Sequence, residues 1–272
     1  VAVDPSASIH SSTVVEVGAV IGPGCRIGPF CAVGPDVVLE AGVTLHSHVA
    51  LGGITRIGEG TTIWPFASLG HAPQDLKYRG ERTELIIGAR NMIREYVTIS
   101  PGTVGGGGLT RVGNDSLFMM HSHVGHDCVV GNQVVLANCA TLAGHVTVED
   151  GVILGGLSAV HQFVRIGTGA MIGGLAGVVA DVIPFGMVAG ERAQLIGLNL
   201  VGLKRRQVER STLTGFRAAY ATIAEGEGTF VERLSRAAEA HPDNPLLAEV
   251  LRFAASESAR SYTMPPPRRG NG

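Results

Sequence analysis

Charge and aromatic rings are what this sequence has least of. Of 272 residues, 16% are charged and 5% aromatic, against about 25% charged in an average soluble chain. The charges nearly cancel, 21 Lys+Arg against 23 Asp+Glu, so overall electrostatics give no reason to expect nucleic acid or an anionic membrane surface as partner. A hydrophobic share of 45% excludes wholesale disorder. No charge-free apolar run reaches the length of a transmembrane helix, and the opening VAVDPSASIH has neither the basic nor the apolar region of a signal peptide. The four cysteines, Cys25, Cys31, Cys128 and Cys139, form no CxxC pair, which argues against a zinc ribbon and for free thiols in the cytoplasm. Phosphate-loop, HExxH and GxSxG motifs are absent. Glycine alone is in excess: 39 residues, about 14% and twice the average, without the every-third spacing of collagen.

The glycines belong to a repeat of six. From Val3, every sixth residue through Ile9, Val15, Ile21, Ile27 and onward to Leu69 is aliphatic. The period returns at Ile87, Ile93 and Ile99, shifts by one, and runs from Val112 to Val178, giving 27 hexads. The fourth residue after each aliphatic is usually small or β-branched; Cys25, Cys31 and Cys128 stand there. Hexads of this kind define a parallel β-helix. Three hexads close one triangular coil, so nine to ten coils are expected, about 43 Å of prism at the strand spacing of about 4.8 Å. Cys25 and Cys31 fall on different faces and should not pair. Glycine is expected to serve the turns by adopting positive φ.

Two stretches interrupt the prism, 70–86 with Asp75, Lys77 and Glu81, and 100–111 with four consecutive glycines. Both are expected to be ejected loops, the usual carriers of function on a rigid scaffold. After Pro184 the hexads stop, and helical periodicity is read over 193–207, 211–225, 229–240 and 245–260, followed by a disordered tail at 264–272. Residues 1–184 carry 9 basic and 14 acidic groups, and 185–272 carry 12 and 9. The helical end is therefore mildly basic, at net +3, and suited to an acidic partner.

Histidine carries the chemical signal. Five of the ten, His121, His123, His126, His145 and His161, fall in one stretch. At 18 residues per coil, His126 and His145 should lie on adjacent coils of one edge, with His161 a coil further. None takes the inward aliphatic place, so all should project from the prism. Neutral imidazole suits both proton transfer near pH 7 and metal binding. Asp127 directly follows His126 and is placed either to orient the ring or to turn the chain.

Several segments resemble the acyl-carrier-protein-dependent UDP-N-acetylglucosamine O-acyltransferases, which open lipid A synthesis. They are Gln74-Asp75-Leu76-Lys77-Tyr78, Ile93-Arg94-Glu95, Gly106-Gly107-Gly108-Leu109-Thr110, His123 to Cys128 (HVGHDC), Leu142-Ala143-Gly144-His145, Ala159 to Phe163 (AVHQF) and Asn199 to Arg206 (NLVGLKRR). The resemblance implies a left-handed parallel β-helix with a C-terminal α-helical domain, assembled as a homotrimer with sites between subunits. It implies transfer of an (R)-3-hydroxyacyl group from acyl carrier protein to the sugar 3-hydroxyl, without cofactor or metal. By that resemblance His126 is the general base, Asp127 orients it, and the Gly144 N–H faces the oxyanion. His123, His145, His161, Gln162, Asp75 and Lys77 match substrate contacts, and Asn199 and Arg205 match residues that meet the uridine diphosphate. Gly174 and Arg192 fall where acyl length is measured.

The chain departs from the family pattern at Val201, where some relatives carry glutamate, and at Ser100-Pro101, where well-known relatives carry His-Arg. A 3-amino sugar as acceptor stays open. Two other readings keep the fold: a trimeric zinc enzyme of the γ-carbonic-anhydrase kind, and a non-catalytic scaffold. The related N-acyltransferases place a uridine-binding domain before the prism; with hexads starting at Val3, none is expected here.

Overall fold

The computed structural model describes residues 2–266; the tail expected at 264–272 lies, from residue 267 on, outside the described residues. The strands are mostly two residues long, and nearly all pair in parallel with the third strand along. Ala2–Val3 pairs with Val20–Ile21, Ser8–Ile9 with Arg26–Ile27, and Val14–Val15 with Ala32–Val33. The step of 18 residues closes a three-sided coil, and the three ladders of nine, eleven and nine strands are the faces of the prism. The solenoid has about ten turns.

The aliphatic column fills the axis. Ile21, Leu39, Ile57, Ile93, Leu136 and Ile172 are all buried, while Val3, on the open first coil, is 42% exposed. Each buried aliphatic contributes roughly 1.5–3 kcal/mol relative to exposure. The small fourth residues pack the corners. There the Cys25, Cys31 and Cys128 thiols donate to the carbonyls of Glu40, His46 and Ala143. Burial pushes all three thiols up, Cys128 to about 12, and all four cysteines are free.

The glycines do the expected job in part and a second one besides. Among the described residues, left-handed φ occurs at sixteen non-glycine positions as well as fourteen glycines. The glycine that follows an inward aliphatic is needed for space instead. A Cβ on Gly125 would lie 2.8 Å from the Ala143 carbonyl carbon on the next coil. Coils stacked at strand spacing leave no room there.

Both insertions close earlier than the hexad count places them. Ile54–Ile57 pairs with Glu84–Ile87, which pairs in turn with Leu109–Val112. The loops are therefore 70–83 and 100–108. The hexad count follows a single inward place, whereas these strands are four residues long and bury a second residue, Leu85 or Thr110.

The region read as the first helix also differs. Gly186–Ala189 adds a further rung beside Met171–Ile172, and Gln194–Leu198 returns antiparallel to it. Leu195 and Leu198 have helical spacing, but they belong to a hairpin. Helices follow: α1 Leu200–Arg205, α2 Arg210–Glu225, α3 Phe230–Ala240 and α4 Pro245–Ala255. Thr229 and Glu232 form a capping box on α3, and the Asn244 side chain caps α4 ahead of Pro245. Phe216, Ala219 and Ile223 of α2 share a buried cluster with Leu247 and Val250 of α4. The chain then returns to the prism. Asp181 is fully buried, accepts from Arg165 Nε at 2.7 Å and from Ser258 Oγ at 2.6 Å, and forms a bridge with Tyr262.

Candidate active site

The site is built at one corner of the prism. Val124, Leu142 and Val160 are rungs of one ladder. The turns that follow them bring Asp127, His145 and Phe163 to the same corner on three successive coils, at φ 59°, 62° and 64°. The conformation is a property of the coil, since Phe30, His48 and Phe66 adopt it too. His126 and His145 lie on adjacent coils of one edge, as their spacing requires: the His145 N–H donates to the His126 carbonyl at 2.9 Å.

His126 Nδ1 lies 2.8 Å from Asp127 Oδ2. Asp127 also receives the Thr103 N–H on Oδ1 at 2.7 Å and the Thr103 hydroxyl on Oδ2 at 2.6 Å. An ionised carboxylate only accepts, so the bond places a His126 proton on Nδ1, and in the neutral ring the lone pair is then on Nε2. This is the arrangement of an oriented general base. His126 was expected to project, yet it is only 9% exposed, and Asp127 beside it 7%. The reason is the 100–108 loop, which folds back over the corner.

His145 stacks on Phe163 with centroids 4.4 Å apart, meets His126 edge-on, and has Nε2 3.8 Å from Asp127 Oδ2. Burial lowers its pKa, and His126 adds to this against the opposing pull of Asp127. His123 contacts the Thr98 hydroxyl at 2.7 Å, and burial, then His126, lowers its pKa as well. Both rings are neutral near pH 7. Gly144 lies flush against the His126 ring: a Cβ there would come within 2.5 Å of Cε1 and 2.6 Å of Nε2.

A cleft of about 510 Å³ opens over the corner, and Asp75, Lys77, Thr103, His145 and Phe163 line it. The first insertion thus brings Asp75 and Lys77 to the histidines. Other expected site residues lie elsewhere. His161 and Gln162 are two coils from His126, and Arg260 holds both, reaching His161 Nδ1 at 2.7 Å and the Gln162 carbonyl at 3.0 Å. His121 is at a different corner, stacked on Tyr96. Asn199 and Arg205 line a second cavity, of about 590 Å³, with Met171, Met187 and Val201. The Asn199 side chain already accepts from the Gly202 N–H and donates to the Gly169 carbonyl. Gly174 is exposed, and exposed Arg192 reaches its coil through a bridge to Gly177.

Sequence reasoning missed Thr103, Phe163 and Arg260. Phe163 was within reach, since 127, 145 and 163 follow the 18-residue coil. Thr103 and Arg260 act across loops whose return path has no period.

A hexapeptide solenoid with a buried histidine–carboxylate pair at its corner defines a hexapeptide-repeat transferase, and the bacterial transferase hexapeptide model matches residues 18–53 and 109–144. The second-domain model of UDP-N-acetylglucosamine O-acyltransferase matches 181–263. The chain belongs to the acyl-[acyl-carrier-protein]–UDP-N-acetylglucosamine O-acyltransferase family. It is 48% identical to the Sinorhizobium fredii member over 96% of both chains. It is 57% identical to the Paracoccus denitrificans member over 75% of this chain and 77% of that one. A crystal structure of a UDP-N-acetylglucosamine acyltransferase superposes with a TM-score of 0.91 at 42% identity, covering 95% of this chain and 99% of that one. The fold is accordingly the left-handed β-helix with a C-terminal helical domain.

Proposed function

We propose that this chain transfers an (R)-3-hydroxyacyl group from acyl carrier protein to the 3-hydroxyl of UDP-N-acetylglucosamine, the first step of lipid A biosynthesis. The observation that carries the mechanism is the pairing of His126 Nδ1 with Asp127 Oδ2 at 2.8 Å, which leaves Nε2 free. Nε2 takes the proton of the sugar hydroxyl as its oxygen attacks the thioester carbonyl. The tetrahedral intermediate collapses, the C–S bond breaks, and the imidazolium returns the proton to the leaving thiolate. The Gly144 N–H faces the oxyanion, a kind of contact typically worth about 10²–10³-fold in rate. Transfer from a thioester in this way requires no metal.

Asp75, Lys77, His123, His145, His161 and Gln162 contact the sugar nucleotide or acyl chain. Arg205 and the spare hydrogen-bonding capacity of Asn199 meet the diphosphate and uridine, and Gly174 and Arg192 bound the acyl chain. The cleft lined by Lys77 and His145 and the Arg205 cavity are separate on one chain, which supports a homotrimer in which neighbouring copies supply the two halves of each site. Exposed Leu157 and Leu175 on successive coils fit such an interface. The basic helical end suits an acidic carrier protein. No described helix is long and apolar enough to cross a membrane, in keeping with a cytoplasmic enzyme.

Incubation of the protein with UDP-N-acetylglucosamine and a panel of (R)-3-hydroxyacyl carrier proteins tests the reading. Transfer with one preferred chain length supports it, and no transfer with any donor refutes it. A metalloenzyme reading is favoured by the His126, Asp127 and His145 donors, which lie within 4.8 Å of one another. Acyl transfer undiminished by EDTA counts against it; loss restored by zinc counts for it.

A further inference from the structure

We infer that Thr103 is a positioning residue for acyl transfer: together with the glycine turn that follows, it holds the Asp127 carboxylate in the orientation that keeps the His126 proton on Nδ1. The inference rests on His126 acting as the base. Thr103 is nine-tenths buried and precedes the short 3₁₀ turn Val104–Gly106. A threonine in that place commonly caps the turn with its own oxygen, but here the side chain makes no cap. Its hydroxyl is turned to Asp127 Oδ2, while its N–H binds Oδ1. The two contacts grip both carboxylate oxygens, so the group cannot rotate without breaking one of them.

The grip is itself anchored. The Gly106 and Gly108 N–H groups both donate to the Thr103 carbonyl, at 3.0 and 2.8 Å, which ties Thr103 into the turn on its C-terminal side. The neck of the loop is tied to the prism: Gly102 donates to the Glu84 carbonyl, and the Glu84 N–H to that of Gly108. Gly106 presses directly on the carboxylate, where a Cβ would fall 2.1 Å from Asp127 Cγ. The orientation matters because Oδ2 has two imidazole neighbours, His126 at 2.8 Å and His145 at 3.8 Å. A carboxylate free to swing would be shared between them, and His126 would populate the tautomer with its proton on Nε2, which has no lone pair there to take the hydroxyl proton. The 100–108 insertion therefore aims the dyad as well as covering it.

The test compares Thr103→Val, which keeps the shape and removes the hydroxyl, with Thr103→Ser, which restores it. Each is prepared as the full chain with ¹⁵N-labelled histidine. In Thr103→Val, kcat is expected to fall about tenfold to a hundredfold, the scale of a misplaced catalytic group, with KM changed less than about twofold. The ¹⁵N spectrum of the substrate-free protein should show His126 protonated on Nδ1 in wild type and Thr103→Ser, and a tautomer mixture in Thr103→Val. Thr103→Ser should retain most of the wild-type kcat. Wild-type kcat with an unchanged tautomer in Thr103→Val overturns the inference, as does a Thr103→Ser that loses as much as Thr103→Val. The tautomer is read without substrate, so failure of the base role, seen as an active His126→Ala, is distinguishable from failure of the positioning role.

Discussion

His48 and His145 stand in the same backbone conformation at two corners of one prism, with φ of 60° and 62°. Each stacks on a ring one coil away, His48 on Phe66 at 4.9 Å and His145 on Phe163 at 4.4 Å. There the likeness ends. His48 is exposed, on coils that run without interruption from residue 2 to 69, within an open stack of Phe30, Phe66, Tyr96 and His121. His145 sits beside a buried aspartate, under loops ejected at 70–83 and 100–108. The repeat supplies many rigid, nearly interchangeable corner places, and the insertions turn one of them into the proposed site. A loop of seven extra residues costs little in closure entropy, yet it withdraws the dyad from water, where its hydrogen bonds become directional and strong.

The contrast can be broken in steps. Among changes that leave the His126 ring in place, Asp127→Asn should have the largest effect. The amide keeps the shape but loses the anion that fixes the His126 tautomer, and steady-state kcat should fall by roughly 10³–10⁴, as for the equivalent change in a catalytic triad. Gly144→Ala comes next. Its Cβ would displace the His126 ring, and kcat should fall about a hundredfold while the thermal midpoint moves little.

An acid titration of stability reads the same corner without substrate. Burial lowers the pKa of His123 and His145 below the ordinary 6.5, so the unfolded chain binds more protons than the native one. Their contribution is complete above pH 6.5 and is lost as pH falls below it. In denaturant melts this loss should shrink in a His123→Gln, His145→Gln double variant. The smallest effect is expected at the bare corner. His48→Ala should leave kcat unchanged and alter stability by no more than about 0.5 kcal/mol.

Periodicity made the prism legible because an inward aliphatic every sixth residue has one structural meaning. It also predicted that His126 and His145 would meet across coils. It failed where the chain leaves the repeat. Leu195 and Leu198 fit a helix by spacing, but Gly190, at φ 102°, turns the chain into a hairpin. Glycine was read only in part: positive φ at turns was foreseen, but Gly125 and Gly144 are required because a neighbouring coil or ring occupies the space of a Cβ, which no local rule reveals. Thr103 grips Asp127 from 24 residues away, and Arg260 reaches His161 from 99. Contacts made by returning loops are set by tertiary closure, and sequence spacing does not record them.

The central claim is that the covered corner carries the chemistry and the bare one does not. The most direct test measures kcat for acyl transfer to UDP-N-acetylglucosamine in His126→Ala, with wild-type oligomeric assembly verified by size-exclusion chromatography. A loss of at least about a hundredfold is predicted, since general bases contribute 10²–10⁴. An intact His126→Ala assembly retaining more than about a tenth of the wild-type rate would contradict the claim.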